Sequence, residues 1–384
     1  MAGSAWADVP ENVARGIFHR VGDRMVSPTF PGPEEVPYTG AGLDASRLVC
    51  RRWSVLSTES IRTLRPKRIF PGMVRWRSLT VLDLRVCDMS SLSKRHGRYG
   101  RPGHSWSVPV AEYIYDHGIR IDTIDLRGRA DDTILRMLGP FRGLTNLDLG
   151  GCHNVTRDGL EGIRHITALS TLSLNGIHLQ QQELEEVARH TSLTSLDLHT
   201  CYLTDDAVLQ LRPLTALTKL VLTLSTSVTD AGVAVVQWMP HLRVLEFNSL
   251  SSMGDVTDSS IIAIAGLTNL TALSLMSTNC MTPVGLRALC TQLTALTSLD
   301  LTGCGCKDLR PPPVPLPPIL DEHLAWISTY LPRLKVLDLY EIGTSLIDAD
   351  GEWHHPGGGH TGTITAAGVA LLRVQMPGCE INYD

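Results

Sequence analysis

The sequence predicts an α/β solenoid, with parallel strands on a concave face and helices on the convex face. Three observations predict it. The first is a six-residue pattern, Leu-x-x-Leu-x-Leu, that recurs ten times. It reads LTVLDL at 79–84, IDTIDL at 121–126, LTNLDL at 144–149, LSTLSL at 169–174, LTSLDL at 193–198, LTKLVL at 217–222, LRVLEF at 242–247, LTALSL at 270–275, LTSLDL at 296–301 and LKVLDL at 334–339. The starts are 42, 23, 25, 24, 24, 25, 28, 26 and 38 residues apart. A fixed period in that range marks a stacked array. The second is a Thr-initiated apolar segment after most strands. The third is physical: neither a lone strand nor a lone short helix can bury its apolar face, and stacking buries both.

The helical segments read VTRDGLEGI at 155–163, LTDDAVLQL at 203–211, VTDAGVAVV at 228–236, VTDSSIIAI at 256–264, MTPVGLRAL at 281–289 and ITAAGVALL at 364–372. Thr156, Thr204, Thr229, Thr257, Thr282 and Thr365 stand where an N-cap hydroxyl is wanted, to accept an orphan backbone N–H. Pro283 follows its cap at the one position where a missing N–H does no harm. Leu160 with Ile163, Val233 with Val236, and Leu286 with Leu289 give one apolar face per helix. The chain's end, CEINYD at 379–384, reads as a last irregular strand.

The pattern resembles the cysteine-containing class of leucine-rich repeats, whose period is about 20–29 residues. In that class the residue three past the last strand leucine is often Cys or Asn, as at Cys87, Cys152, Cys201 and Cys304. Arg129, Ile177, Ser225, Leu250, Thr278 and Ile342 depart from it. These cysteines read as small residues buried at a turn. The resemblance implies a domain over 69–384 of about ten to eleven repeats, with inserts near 88–107, 305–318 and 343–362.

Residues 8–19, DVPENVARGIFH, open with Asp8 as an N-cap and place Val13, Ile17 and Phe18 on one helical face. Residues 48–56, LVCRRWSVL, form a second helix with Leu48, Val49, Trp53 and Leu56 as its apolar side. Together they resemble the F-box: Leu-Pro-x-Glu, an Ile-Phe pair, then Leu-Val-Cys-[Lys/Arg]-x-Trp. Val9-Pro10-Glu11 has Val for Leu and Glu one place early, whereas Ile17-Phe18 and Leu48-Val49-Cys50-Arg51-Arg52-Trp53 match closely. A Pro/Gly-rich insert at 27–42 lies between the two blocks. Residues 1–68 therefore read as an F-box-like helical region, the alternative being a plain helical cap over the first repeat. The resemblance implies that Pro10, Ile17, Phe18, Leu48, Val49 and Trp53 dock on a Skp-type adaptor and, through it, a cullin. The repeats of such proteins hold a protein substrate.

The net charge of −5 argues against a nucleic-acid footprint, which needs a basic stripe. No apolar run is long enough for a membrane span, and none forms a secretory h-region. Nine cysteines without paired spacing suit free thiols in a reducing compartment, cytoplasmic or nuclear. Cys304 and Cys306 lack a second ligand pair at zinc spacing. His354, His355 and His360 sit in a glycine loop without a carboxylate or Cys partner at fixed spacing. PPPVPLPP at 311–318 reads as a stiff spacer, with a polyproline ligand as the other reading. The basic stretch at 90–107 reads as a solvated loop. No metal or cofactor is expected.

No phosphate loop, nucleophile elbow or metalloprotease motif occurs in the sequence, so the expectation is a non-catalytic chain. The conspicuous polar feature is a column at the fifth strand position: Asp83, Asp125, Asp148, Asp197, Glu246, Asp300 and Asp338. Strand alternation points it to the face opposite the leucines. Either Leu-Asp-Leu is a habitual spelling of the strand, with each Asp held by neighbouring side chains, or the column is an acidic trough for a basic substrate segment. Interruption by Ser173 and Val221 favours the first. The next column, Asn175, His199, Thr223, Asn248, Met276, Thr302 and Tyr340, is more varied. The expected substrate surface is therefore His199, Thr223, Asn248, Met276, Thr302 and Tyr340, with Asp148, Asp197 and Asp300 beside it and Tyr340 as anchor. The expected function is substrate recognition in an SCF-type E3 ubiquitin ligase. The alternatives are a repeat scaffold without an adaptor, in cytoskeletal, ciliary-axoneme or sensing work, and a microbial effector that borrows a host ligase.

Overall fold

The computed structural model of the chain describes residues 63–64, 81–83, 121–139, 141–224, 228–249, 256–276, 281–304, 319–340, 342, 346–347, 353–354 and 364–383. Pro10, Ile17, Phe18, Leu48, Val49 and Trp53, with the rest of the F-box-like blocks and the inserts at 27–42, 88–107 and 305–318, lie outside them. The chain divides into two compact units, Met1–Ser173 and Leu174–Asp384.

In the first unit the strands are β1 Thr63–Leu64, β2 Val81–Asp83, β3 Thr123–Asp125, β4 Asn146–Asp148 and β5 Thr171–Ser173. Each pairs in parallel with the next. β1 precedes the first complete copy of the strand pattern. In the sequence it falls within Ile61-Arg-Thr-Leu64, which matches the first four positions of the pattern, with Pro66 where the last leucine would stand. Helices α1 Asp132–Met137 and α2 Arg157–Gly162 follow β3 and β4.

The second unit repeats the plan. Its strands are β6 Ser195–Leu198, β7 Lys219–Leu224, β8 Val244–Ser249, β9 Ala272–Ser274, β10 Ser298–Asp300 and β11 Val336–Asp338. The hairpin strands β12 Leu346–Ile347 and β13 Trp353–His354 come next, and then β14 Glu380–Asn382. β6 to β11 pair in parallel and in sequence, and β14 closes against β11. β12 and β13 pair antiparallel inside the 343–362 insert, where the sequence suggested only a loop. The helices are α3 Gln181–Val187, α4 Asp205–Leu209, α5 Asp230–Val233 with a 3₁₀ turn Ala234–Trp238, α6 Asp258–Ala265, α7 Pro283–Gln292, α8 Asp321–Tyr330 and α9 Ala366–Gln375. Strand, turn and helix recur in register, so the chain is a leucine-rich-repeat solenoid of the α/β class.

The strand leucines form the core. Leu196, Leu198, Leu220, Leu222, Leu245, Phe247, Leu299 and Leu301 are all fully buried. Each such side chain contributes about 1.5–3 kcal/mol of burial free energy. The Thr of the Leu-Thr opening does separate work. Thr218, Thr271 and Thr297 donate their hydroxyls to the carbonyls of Thr194, Arg243 and Thr271, at 3.0, 3.1 and 2.9 Å, one repeat back.

All six Thr caps hold. Thr156, Thr204, Thr229, Thr257, Thr282 and Thr365 accept from the first-turn N–H groups of Asp158, Ala207, Ala231, Ser259, Val284 and Gly368. Five of them also donate to the Asp that opens the preceding helix. Thr229 gives its N–H to Asp205 Oδ1 at 2.8 Å and its hydroxyl to Oδ2 at 2.7 Å. The same fork joins Thr156 to Asp132, Thr257 to Asp230, Thr282 to Asp258 and Thr365 to Asp321. The carboxylate occupies the space a Cβ would take at the third helical position of the next repeat, which explains Gly159, Gly232, Gly285 and Gly368. In the fifth case Ser260 stands there and gives its hydroxyl to Asp230. After helices that open with Gln181, Arg157 or Pro283 there is no carboxylate to accommodate, and Ala207, Glu183 and His323 carry side chains at that position.

Candidate functional site: the strand face

Within each unit the strand positions opposite the leucines, and those just past the last leucine, line up from one paired strand to the next. The acidic column is mainly a strand-ending device. Asp125, Asp148, Asp197 and Asp300 each accept, through Oδ1, the backbone N–H two residues on: Arg127 at 3.2 Å, Gly150 at 2.9 Å, His199 at 3.0 Å and Thr302 at 2.9 Å. A short acceptor side chain that bonds its own backbone two residues ahead turns the chain out of the sheet. The bond common to the four is to their own backbone rather than to neighbouring side chains, and it explains why Leu-Asp-Leu recurs as a spelling.

Column charges differ in their neutralisation. In the first unit, Asp125 and Asp148 are paired across β3 and β4. The Arg127 guanidinium spans them, with Nη2 2.8 Å from Asp125 Oδ2 and Nε 3.0 Å from Asp148 Oδ2. In the second unit, Lys219 Nζ lies 3.1 Å from Glu246 Oε1. Asp197 and Asp300 are separated by Val221, Glu246 and Ser274, which places them about 19 Å apart at roughly 4.8 Å per strand. They do not act as one trough.

Asp300 and Asp338 form an adjacent pair. Ser274 Oγ lies 2.9 Å from Asp300 Oδ2 and 3.0 Å from Asn248 Oδ1. A hydroxyl has one proton, and a carboxylate is the stronger acceptor, so Ser274 donates to Asp300; Asn248 completes the relay when its Nδ2 faces the hydroxyl. Asn382 Nδ2 donates to Asp338 Oδ1 at 2.7 Å. Among the described residues, every donor to this pair is neutral.

The varied column lies along the strand ends. His199 and Asn248 are half-buried, as is Thr302. Thr223 is placed by its backbone, in register with Asn248. Met276 is 40% exposed and Tyr340 39% exposed. Gly303 N–H donates to Tyr340 O at 2.7 Å, which sets Thr302 and Tyr340 side by side. Met276, Thr302 and Tyr340 thus belong to three consecutive strands, a short residue between two tall ones. His199, Thr223, Asn248, Met276, Thr302, Tyr340, Asp197 and Asp300 belong to the second unit, Asp148 to the first.

One feature of the turn edge was not legible from the pattern. Position two past the last leucine is left-handed, and Gly128, Gly151, Gly176 and Gly303 fill it with φ of 68–72° or 65°. Thr200 takes the same place at φ 55°, and Tyr202 follows at φ 52°. Thr200 donates its hydroxyl to Asn175 Oδ1 at 3.2 Å. Tyr202, 62% exposed, stacks on His178 with ring centroids 6.4 Å apart.

The turn cysteines are buried. Cys152, Cys201 and Cys304 donate Sγ–H to the carbonyls of Leu126, Leu174 and Leu275 at 3.3, 3.2 and 3.0 Å. Burial pushes the Cys201 thiol up to about 12 and raises Cys152. Among the described residues no group of three His, Cys, Asp or Glu is placed to hold a metal, and no helix is long and apolar enough to cross a membrane.

No protein-family model matches the sequence, and no curated protein matches it. Among solved structures the chain is similar to an internalin from Listeria monocytogenes, at 19% identity and a TM-score of 0.49 over 82% of this chain and 86% of that one. It is also similar to a chain of the yeast Rad7–Elc1 complex, at 16% identity and a TM-score of 0.47 over 92% of each. A third likeness is to the TLR13–ssRNA13 complex, at 18% identity and a TM-score of 0.40 over 72% of this chain and 40% of that one. The fold assignment rests on the strand register and helix caps above.

Proposed function

We propose that this chain is a non-catalytic substrate-recognition subunit of an SCF-type ubiquitin ligase, working in the cytoplasm or nucleus. A Skp-type adaptor, and through it a cullin, engages Pro10, Ile17, Phe18, Leu48, Val49 and Trp53, and a protein substrate lies on the strand face. The observation that carries the reading is positional. The Leu48-Val49-Cys50-Arg51-Arg52-Trp53 block stands ahead of the repeat array, with no other complete repeat or motif between it and the first copy at 79–84. The strand face adds a surface suited to a partner, with exposed Met276 and Tyr340 among hydroxyl, amide and carboxylate groups. A tyrosine supplies large contact area at low entropic cost.

The test is direct binding of purified Skp-type adaptor to the full chain and to its Trp53→Ala and Leu48→Ala variants. Truncating a buried aromatic anchor weakens binding by 2 kcal/mol or more, about thirtyfold. Saturable binding lost in both variants, with the repeats still folded, supports the reading. A chain that binds no adaptor leaves a repeat scaffold without ligase association.

A further inference from the structure

We propose that Asp300 and Asp338, with Tyr340 beside them, form a receptor for an arginine side chain on an extended segment of the protein partner. This rests on the reading that the strand face holds the partner, and it names the chemistry recognised there.

The chain supplies its own precedent. Asp125 and Asp148 occupy directly paired positions on adjacent parallel strands, and so do Asp300 and Asp338. Two carboxylates at that register repel one another. In the first pair a guanidinium relieves the repulsion. Arg127, one residue past the last strand leucine, lays Nη2 and Nε against Asp125 and Nε against Asp148. The equivalent residue in the second pair is Thr302, one past Leu301. Its side chain is too short to reach and carries no charge.

What serves the second pair instead is neutral. Asp300 takes the Thr302 N–H and the Ser274 hydroxyl, and Asp338 takes the Asn382 amide. A carboxylate has about four acceptor sites, so both retain capacity. Asp338 Oδ2 has no donor among the described residues. In the described part of the second unit the column's other acidic residues are not adjacent to one another, and Glu246 already has Lys219. Among the described residues of the second unit, Asp300 and Asp338 are therefore an adjacent acidic pair with no cation against it.

The surroundings favour arginine over lysine. A planar fork can bridge two carboxylates about 4.8 Å apart, where an ammonium is a point charge. Tyr340 stands one residue past Leu339, with 39% of its surface open, and an arginine plane can stack on its ring. Met276 lies two strands away on the far side of the short Thr302, an apolar contact for the segment's neighbouring residue. Charge complementarity thus selects a cationic, arginine-bearing protein segment.

The probe is a fluorescently labelled peptide, acetyl-Ala-Leu-Arg-Leu-Ala-amide, and its twin with neutral citrulline in place of arginine. Binding to the full chain is read by anisotropy at low salt, where exposed charges are least screened. The arginine peptide should bind at least tenfold more tightly than the citrulline peptide. An Asp300→Asn/Asp338→Asn chain should lose that preference; Asn keeps the Oδ1 acceptor for Thr302 N–H, so the turn survives. Thr302→Arg should also abolish it, by placing an internal guanidinium where Arg127 sits in the first unit, and should leave a folded chain by circular dichroism. Equal binding of the two peptides, a preference that survives both variants, or no saturable binding by about 1 mM overturns the proposal. Because adaptor binding is read separately through Trp53, failure here is distinguishable from failure of the ligase reading.

Discussion

Asp321 holds Thr365 with both carboxylate oxygens, 2.8 Å from the backbone nitrogen and 2.6 Å from the hydroxyl, across 44 residues of sequence. The insert at 343–362 lies between them. The fork is the one that joins Asp205 to Thr229 only 24 residues on. Helix-to-helix stacking in the second unit is therefore pinned by the same bond whether or not the connection is lengthened. Loop-closure cost grows slowly with length, so one such bond can hold a long insertion in register.

The fork and the glycine are coupled, and a double-mutant cycle reads the coupling. Asp321→Ala should destabilise the chain by about 1–3 kcal/mol, because Thr365 loses two partners, both to a charged acceptor. Gly368→Ala should also destabilise, although Ala ordinarily gains about 1 kcal/mol over Gly in a helix. The three atoms nearest to an added Cβ at Gly368 all belong to Asp321. In the Asp321→Ala background the same Gly368→Ala change should become stabilising. Denaturant midpoints measure all four corners, and additive effects would exclude the steric account.

Acid should loosen the helix edge. Burial pushes the Asp230 carboxyl up, but hydroxyl donors from Ser260 and Thr257, with both backbone N–H groups, more than offset it and leave the group below its ordinary value. A carboxyl depressed in the folded state contributes stability above its unfolded pKa, about 3.9, and loses it as pH falls through the folded value. Asp230→Asn should therefore flatten the fall in stability below about pH 4 and change its slope little above pH 5. Urea unfolding across that range is the measurement.

The buried cysteines should be inert. With thiols at about 12, Cys201 and Cys290 hold almost no thiolate at pH 8. Iodoacetamide followed by mass spectrometry should label half-exposed Cys379 before Cys152, Cys201, Cys290 or Cys304. Those four should react only in denaturant. Early labelling of Cys201 in the native chain would contradict its place in the core.

Tyr202 sits at a positive φ that asparagine tolerates far better, and its ring is mostly in solvent. Left-handed backbone costs about 1–2 kcal/mol for an ordinary side chain. Tyr202→Asn should raise stability by about 0.5–1 kcal/mol despite the lost stacking on His178. A lower thermal midpoint would show that the aromatic contact outweighs the strain.

The sequence by itself determined the repeat, its register, the buried leucines and the six Thr caps, because each depends on residues within one repeat. Strand alternation sent Leu196, Leu198 and their counterparts inward, and the caps bond only two or three residues ahead. Asp125, Asp148, Asp197 and Asp300 read in the sequence as groups held by neighbouring side chains, whereas the bond they share is to the backbone two residues ahead. Tertiary structure alone decided what neighbouring repeats place side by side. It put Asp205 under Thr229, Arg127 across Asp125 and Asp148, and Asp300 against Asp338 with hydroxyl and amide donors from Ser274 and Asn382. It also drew Thr63–Leu64 into the sheet ahead of the first full motif and gave the late insert a hairpin. Those pairs stand about one repeat or more apart in sequence, and the energy of a charge or hydrogen bond is set by which partner stands within about 3 Å, a distance no single repeat encodes.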